Sequence, residues 1–282
     1  MKRCKIRPYS FGLFALSSAL TVVMCFLSPC IIFEENILDT NVFEILMRTT
    51  RAQRLDYCLL AFGLLGNASS NQWFIIAIPM LTALPFLLTF DEEIESNFYR
   101  SSLIRMSKRQ YINRMFFGNA LFGAGAVTVG YCVFAAIGYA LFPRFGECID
   151  RETGEPMVFS RPGLDTSSEA VGVLIRIVVF FTFAILLAQI TLAFTLIMRN
   201  KFKGIGLPMV LFFMIDKIAM TLFYDTLDSR YYALSPSQSL GNIELTFDTF
   251  DTDFIWYFPI WLGAVAAMYL LCGFLCKRRV FS

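Results

Sequence analysis

Long apolar runs separated by short polar stretches dominate the chain. Six of them approach or exceed the roughly 20 residues that a transmembrane helix needs, and they cover residues 11–33, 73–90, 116–142, 171–198, 205–224 and 254–276. A seventh stretch, residues 57–66, is too short to cross and predicts an interfacial or re-entrant piece before the second helix. The pattern predicts an all-α integral membrane protein with six transmembrane helices, forming one transmembrane domain over residues 1–282.

The composition agrees with a membrane protein. Hydrophobic residues make up 57% of the chain and charged residues 16%, and 31 residues are phenylalanine. Soluble domains average about 45–50% apolar and about 25% charged residues. The chain has no histidine, which excludes Ser-His-Asp and Cys-His catalysis and histidine-ligated metal sites. A net charge of only +2 gives no reason to expect a nucleic-acid partner.

Lysine and arginine are distributed unequally between the two sets of connections. Fifteen lie in the two tails and in the connections after helices two and four, whereas seven lie in the other connections. Because positive residues favour the cytoplasmic side, both termini are predicted to be cytoplasmic. Segment 91–115 is then cytoplasmic, and segments 34–72, 143–170 and 225–253 are outer segments. Within these outer segments, Cys58 and Cys148 could form a disulfide, which the sequence leaves open.

The cytoplasmic connection 91–115 carries acidic residues first and basic residues last, as favours a helix in this direction. Its apolar residues recur at three- and four-residue spacings and form an amphipathic stripe. The stripe comprises Ile94, Phe98, Tyr99, Ser102, Leu103 and Met106. Two interpretations stay open: a helix lying on the lipid interface, or a docking helix that inserts into a cytosolic partner.

Three motifs surround this connection. The sequence reads Pro79-Met-Leu-Thr-Ala-Leu-Pro85, then Phe90-Asp-Glu-Glu93, then Arg105-Met-Ser-Lys-Arg-Gln-Tyr111. Together with the six runs and the basic N-terminal tail, these motifs resemble the permease subunits of type-2 ATP-binding-cassette (ABC) exporters. The resemblance implies an amphipathic coupling helix between helices two and three. The residues expected to contact an ATPase are Glu92, Glu93, Ile94, Phe98, Tyr99, Leu103 and Met106.

The chain contains no Gly-x-x-x-x-Gly-Lys-Ser/Thr loop, so we expect a transport subunit that is not itself an enzyme. The resemblance implies that no cofactor binds to this chain and that ATP and Mg belong to a partner subunit. The implied partners are a cytosolic ABC ATPase dimer, a second permease that is identical or homologous, and membrane lipid.

The resemblance also implies a function. We expect a permease that exports an amphipathic or hydrophobic substrate, such as a peptide antibiotic, a drug or a lipid-like molecule. The expected location is the cell membrane, as a multi-pass protein of a bacterial plasma membrane. The alternative is a membrane sensor or immunity protein that binds a ligand outside without transporting it. A membrane-embedded enzyme acting on lipid is the weakest option, because no nucleophile constellation is evident.

Three charged residues interrupt the apolar runs: Arg176 in the fourth, and Asp216 and Lys217 in the fifth. Charges at bilayer depth are costly and usually face protein or water. At 1.5 Å per residue, Arg176 and Asp216 lie about 8 Å and about 12 Å below the outer surface. We therefore predict that Arg176 and Asp216 are neighbours. They could form a static clamp between two helices or a gate at the outer mouth, and Arg176 and Lys217 could instead snorkel outward.

Overall fold

The computed structural model describes most of the chain. The described residues are 8–31, 39–56, 59–88, 90, 104, 106–149, 154–157, 169–198, 201–226 and 254–280. All structural statements below refer to these residues. Most of the predicted coupling segment and of the outer segment 225–253 lies outside them.

Helices make up most of the described structure. They are α1 (Pro8–Phe26), α2 (Val42–Arg48), α3 (Arg51–Asp56), α4 (Ala61–Ser70), α5 (Gln72–Ala83), α6 (Lys108–Gly118), α7 (Gly125–Leu141), α8 (Glu169–Met198), α9 (Lys201–Thr226) and α10 (Phe254–Val280). A π-helix, Asn119–Ala124, joins α6 to α7. Two short strands, β1 (Pro29–Ile31) and β2 (Asp39–Asn41), form an antiparallel pair after α1.

Among the described residues, three helical units are long and apolar enough to cross a membrane. They are Lys108–Glu147, Glu169–Met198 and Gly204–Asp225, while Phe11–Phe26 and Gln72–Ala83 are shorter apolar helices. The prediction of a mainly helical, membrane-embedded protein is therefore confirmed at this coarse level. The count of six crossings and the side of the termini stay predictions.

Local sequence explains where several of these helices begin and end. Ser107 and Gln110 form a capping box, so α6 begins at Lys108, well before the apolar run predicted from residue 116. At the end of α1, Pro29 has no backbone N–H and cannot continue the helical hydrogen bonds, so the chain leaves the helix after Phe26. Likewise α5 ends at Ala83: Leu84 keeps helical dihedral angles, but Pro85 has no N–H to continue the helical hydrogen bonds.

The bundle has two ends and two apolar clusters. The first cluster lies toward the end of the bundle where α7 finishes, which we call the Leu141 end. It includes residues of α1, α2, α4, α5, α7, α8 and α9. The second cluster lies toward the start of α6, here the Lys108 end, and joins residues 83–90 to α6, α8 and α10. The chain runs along α8 in the direction opposite to α7, since Tyr139 near the end of α7 donates to Glu169 at the start of α8, at 2.7 Å.

The segment predicted to be interfacial or re-entrant packs inside the bundle. Its helix α4 begins beside the end of α7, where Ala61 N–H donates to the Pro143 carbonyl at 3.0 Å. Four of its residues, Phe62, Leu65, Ala68 and Ser69, are almost fully buried. With 10 residues, α4 is too short to cross a membrane. The chain passes from it directly into α5, the second predicted helix.

The α1–α7 contact depends on small residues. Ser18 Oγ donates to the Ala126 carbonyl at 2.8 Å. A Cβ atom added at Gly130 would lie 2.5 Å from the Ser18 carbonyl oxygen and 2.7 Å from the Thr21 Cβ. The helices therefore approach closely only because residue 130 has no side chain, which is typical of helix packing in membranes.

Replacing Gly130 should loosen this contact. We expect Gly130→Ala to destabilise the protein by about 1–3 kcal/mol, because the added methyl group overpacks a tight interface. The matched control is Gly138→Ala on the same helix, where an added Cβ meets nothing within 4 Å. Thermal unfolding in detergent should show a lower midpoint for Gly130→Ala only, and equal midpoints for the two variants would contradict this packing.

Candidate functional site

Most of the predicted ATPase contacts lie outside the described residues. They are Glu92, Glu93, Ile94, Phe98, Tyr99 and Leu103. Of the predicted set, the structure places Met106, which is half-buried and packs against the second cluster. Nearby, Ile104 is 87% exposed. The role of these residues as a coupling helix stays a prediction.

Both flanks of this segment are held by the second cluster. Before it, Phe90 is 4% exposed and stacks on Phe86, with ring centroids 5.9 Å apart. After it, Met106 contacts the same cluster, and Ser107 N–H and Oγ make the two capping hydrogen bonds with Gln110 that start α6. The segment 91–105 therefore leaves and re-enters one apolar cluster.

Arg176, the predicted gate residue of α8, is fully buried against α4. Its Nη1 donates to the Phe62 carbonyl oxygen at 3.4 Å, and its guanidinium carbon lies 4.4 Å from the Phe62 ring centroid. A Cβ added at Gly66 would lie 2.6 Å from Nη1. The ring supplies a cation–π contact, and Gly66 leaves room for the guanidinium beside the helix. These two contacts join the cation to the backbone and to one ring of α4.

Other polar side chains hold the same short helix. Tyr131 of α7 donates its hydroxyl to the Leu65 carbonyl at 2.9 Å and stacks on Phe180, with ring centroids 4.4 Å apart. Asn71, at the α4–α5 junction, donates to Ser28 Oγ at 3.0 Å. Helices α7 and α8, together with the residues after α1, therefore fix α4 through hydrogen bonds inside an apolar surround.

Asp216, the predicted partner of Arg176, is 5% exposed and contacts the same part of the chain. Its Oδ2 accepts a hydrogen bond from Gln72 Nε2 at 2.8 Å. Gln72 is the first residue of α5, so Arg176 and Asp216 bind on either side of the α4–α5 junction. A direct contact between the two charges stays a prediction.

Lys217, the third predicted gate residue, is exposed, whereas Asp216 beside it is buried. Consecutive residues of an α-helix point about 100° apart, and here the boundary of the bundle falls between them. The structure therefore places Arg176 against α4 and Asp216 against the first residue of α5, and it leaves Lys217 on the surface of α9.

A second polar layer, which the sequence reasoning missed, lies at the π-helix. Asn119 Nδ2 donates to the Ala188 carbonyl at 2.7 Å, and Gln189 Nε2 donates to the Phe116 carbonyl at 3.0 Å. Each helix thus binds the other's backbone through a side-chain amide. Gln189 is fully buried, and its Oε1 has no hydrogen-bond partner among the described residues.

A sequence signal for this layer existed. Asn119 and Gln189 are neutral polar residues inside apolar runs, whereas the predicted site residues within those runs all carry formal charges. π-Helical turns occur frequently at functional sites, but their position cannot be read from residue types.

The polar side chains around α4 form one layer and those at the π-helix form a second, and both layers act through hydrogen bonds. Within the described ranges, no group of three or more His, Cys, Asp or Glu side chains is placed to hold a metal ion. The polar atoms instead satisfy backbone carbonyls and join helices. Such layers can hold the helices in one arrangement, and their hydrogen bonds can change partners if the helices move.

Comparisons with known proteins add no assignment: no family model, no curated protein and no solved structure matches this chain.

A double-substitution cycle tests whether Arg176 and Asp216 act together. If they are coupled, Arg176→Ala alone should destabilise the protein by about 3 kcal/mol, because it leaves a buried carboxylate without its counter-charge. Adding Asp216→Asn should then recover part of that loss. Unfolding midpoints in detergent measure both variants, with Asp216→Asn alone as the control. A double variant that is less stable than Arg176→Ala would show that the two side chains act separately.

Proposed function

We propose that this chain is the permease subunit of a type-2 ABC exporter. It crosses the membrane six times with both termini in the cytoplasm, and it moves an amphipathic or hydrophobic substrate outward. ATP and Mg are bound by a separate cytosolic ATPase dimer, which contacts the segment 91–115. The chain acts beside a second permease in a bacterial plasma membrane.

The observation that carries this proposal is the fixing of both flanks of segment 91–105 by the second cluster. Phe90 is buried on one side, and Met106 packs against the same cluster on the other. A force that a partner applies to the segment would therefore reach the second and third predicted helices together, at the Lys108 end of the bundle. A loop attached to only one helix could not transmit a push in this way.

The second cluster connects that force to the rest of the bundle. Leu192 and Leu196 of α8 belong to it, and so do Cys272 and Cys276 of α10. Helix α8 continues without interruption to Arg176, which lies against α4 in the first cluster's region. Movement at the Lys108 end would thus reach the α4–α5 junction through one continuous helix.

The π-helix is suited to accommodate such a movement. It interrupts the third helix between the two clusters, beside Asn119 and Gln189. Single π-helical turns inside α-helices are rare and occur frequently at functional sites. Gln189 Oε1 has no hydrogen-bond partner among the described residues, so it can accept from a new donor when the helices shift.

Membrane orientation can be tested by cysteine labelling. We expect a cysteine at Ser107 to react only from the cytoplasmic side and a cysteine at Ser237 only from outside, because positive residues favour the cytoplasm. The measurement is modification by a membrane-impermeant maleimide in intact cells and in inverted vesicles, in a background whose native cysteines are replaced. Labelling of both positions from outside would exclude the proposed topology.

The coupling role is tested at Phe98. Phe98→Asp should release the ATPase and reduce transport-coupled ATP hydrolysis at least tenfold, because an aromatic anchor in a pocket dominates this kind of interface. Co-purification with the ATPase and ATPase activity in liposomes are the measurements. The protein should still insert and fold, as shown by its unchanged elution in detergent.

Ile104→Asp provides the matched control. Ile104 is highly exposed and lies off the predicted stripe, so the same charge there should leave the complex intact. If Phe98→Asp retains a full complement of ATPase, or if no ATPase co-purifies with the parent protein, the permease proposal fails. The sensor or immunity role then becomes the better interpretation.

A further inference from the structure

Helix α9 has two opposite faces. The face toward the bundle consists of buried residues spaced three or four apart, namely Gly204, Pro208, Phe212, Asp216 and Ala219. The opposite face recurs at the same spacing and is exposed; it consists of Val210, Met214, Lys217 and Thr221. We call these four residues the Lys217 face.

The Lys217 face belongs to the least covered of the three membrane-spanning units. Only 22% of the apolar stretch within Gly204–Asp225 is buried inside the protein, compared with 50% within Lys108–Glu147 and 39% within Glu169–Met198. Val210 and Met214 are more than half exposed. Apolar side chains alone would suit lipid, but the lysine among them does not.

Lys217 lies far from both ends of a helix that is long and apolar enough to cross a membrane. At 1.5 Å per residue, its Cα lies about 13 Å from the Thr226 end of α9 and about 24 Å from the Lys201 end. Its Nζ lies 5.8 Å from the ring centroid of Phe213, one turn toward Lys201. The side chain thus extends away from the nearer end of the helix, which is the opposite of snorkelling.

Lipid tails offer no acceptor to this ammonium group. The Phe213 ring is a weak, partial partner, and a charged residue at such depth usually pairs with another polar group. The Lys217 face points away from the bundle, and no carboxylate among the described residues forms an ion pair with this lysine. An acidic group on another molecule would satisfy it.

A second copy of this chain does not supply a matching acid from its described residues. Within the described membrane-spanning helices, Asp216 is the one carboxylate away from the helix ends, and it is buried and bonded to Gln72. Two copies joined through this face would also bring two lysines together. Charge complementarity therefore favours a different chain.

We propose that the Lys217 face binds a transmembrane helix of a different protein chain, and that this helix carries an aspartate or glutamate at the depth of Lys217. Val210 and Met214 pack against the partner's apolar residues, and Thr221 lies one turn beyond the ion pair. This interface does not depend on transport or on an ATPase.

The test uses the purified full-length protein in phosphatidylcholine liposomes. The probe is a synthetic leucine–alanine transmembrane peptide with one aspartate near its centre, and the control peptide has leucine at that position. Binding is measured by energy transfer between a fluorophore on the protein and one on the peptide. We expect the aspartate peptide to bind at least tenfold more tightly than the leucine peptide.

Substitutions at the face decide the outcome. Lys217→Met should abolish the preference for the aspartate peptide, whereas Lys217→Arg should keep it, and elution in detergent should be unchanged for both. Equal binding of the two peptides, or a preference that survives Lys217→Met, would overturn the proposal. It would also be overturned if differently labelled copies of the chain associate with one another and Lys217→Met prevents this. None of these results bears on the Phe98 experiment, so the two proposals fail separately.

Discussion

Buried polar groups in an apolar bundle have to find their partners within the protein, and the arrangement around α4 follows from this requirement. A short helix inside the bundle carries backbone carbonyls and an adjoining turn that lipid could not satisfy. Arg176 and Tyr131 donate to the carbonyls of Phe62 and Leu65, and Asn71 donates to Ser28. Removing any one of these donors leaves a buried acceptor with one partner fewer, so α4, α7 and α8 hold their positions together.

Helix α8 connects the polar layers to one another. It carries Arg176 near its first end and Gln189 about 20 Å further along, at 1.5 Å per residue. Its last turns contribute Leu192 and Leu196 to the second cluster. One continuous helix therefore contacts α4, the π-helix and the cluster that flanks segment 91–105. This continuity is what makes a mechanical role for segment 91–115 physically reasonable.

The adjacent charges of α9 show how a single helix can serve two surroundings. Asp216 faces the bundle and binds Gln72, whereas Lys217 faces outward with Phe213 as its neighbour. A charge that faces protein can be satisfied locally, but a charge that faces lipid cannot. The same helix thus packs against the bundle on one side and leaves an exposed face with a lysine on the other.

The sequence by itself was sufficient for the class of protein, because long apolar runs can only be satisfied by helices in a membrane. It also singled out Arg176, Asp216 and Lys217, since any charge within such a run is exceptional, but it could not tell that the first two are buried and the third is exposed. It could not show that Gln72 binds Asp216 or that Phe62 and Gly66 receive Arg176. Nor could it reveal the π-helix or the opposite directions of Asp216 and Lys217. Those features depend on which helices are neighbours, and residue spacing along one helix carries no information about the helix packed against it.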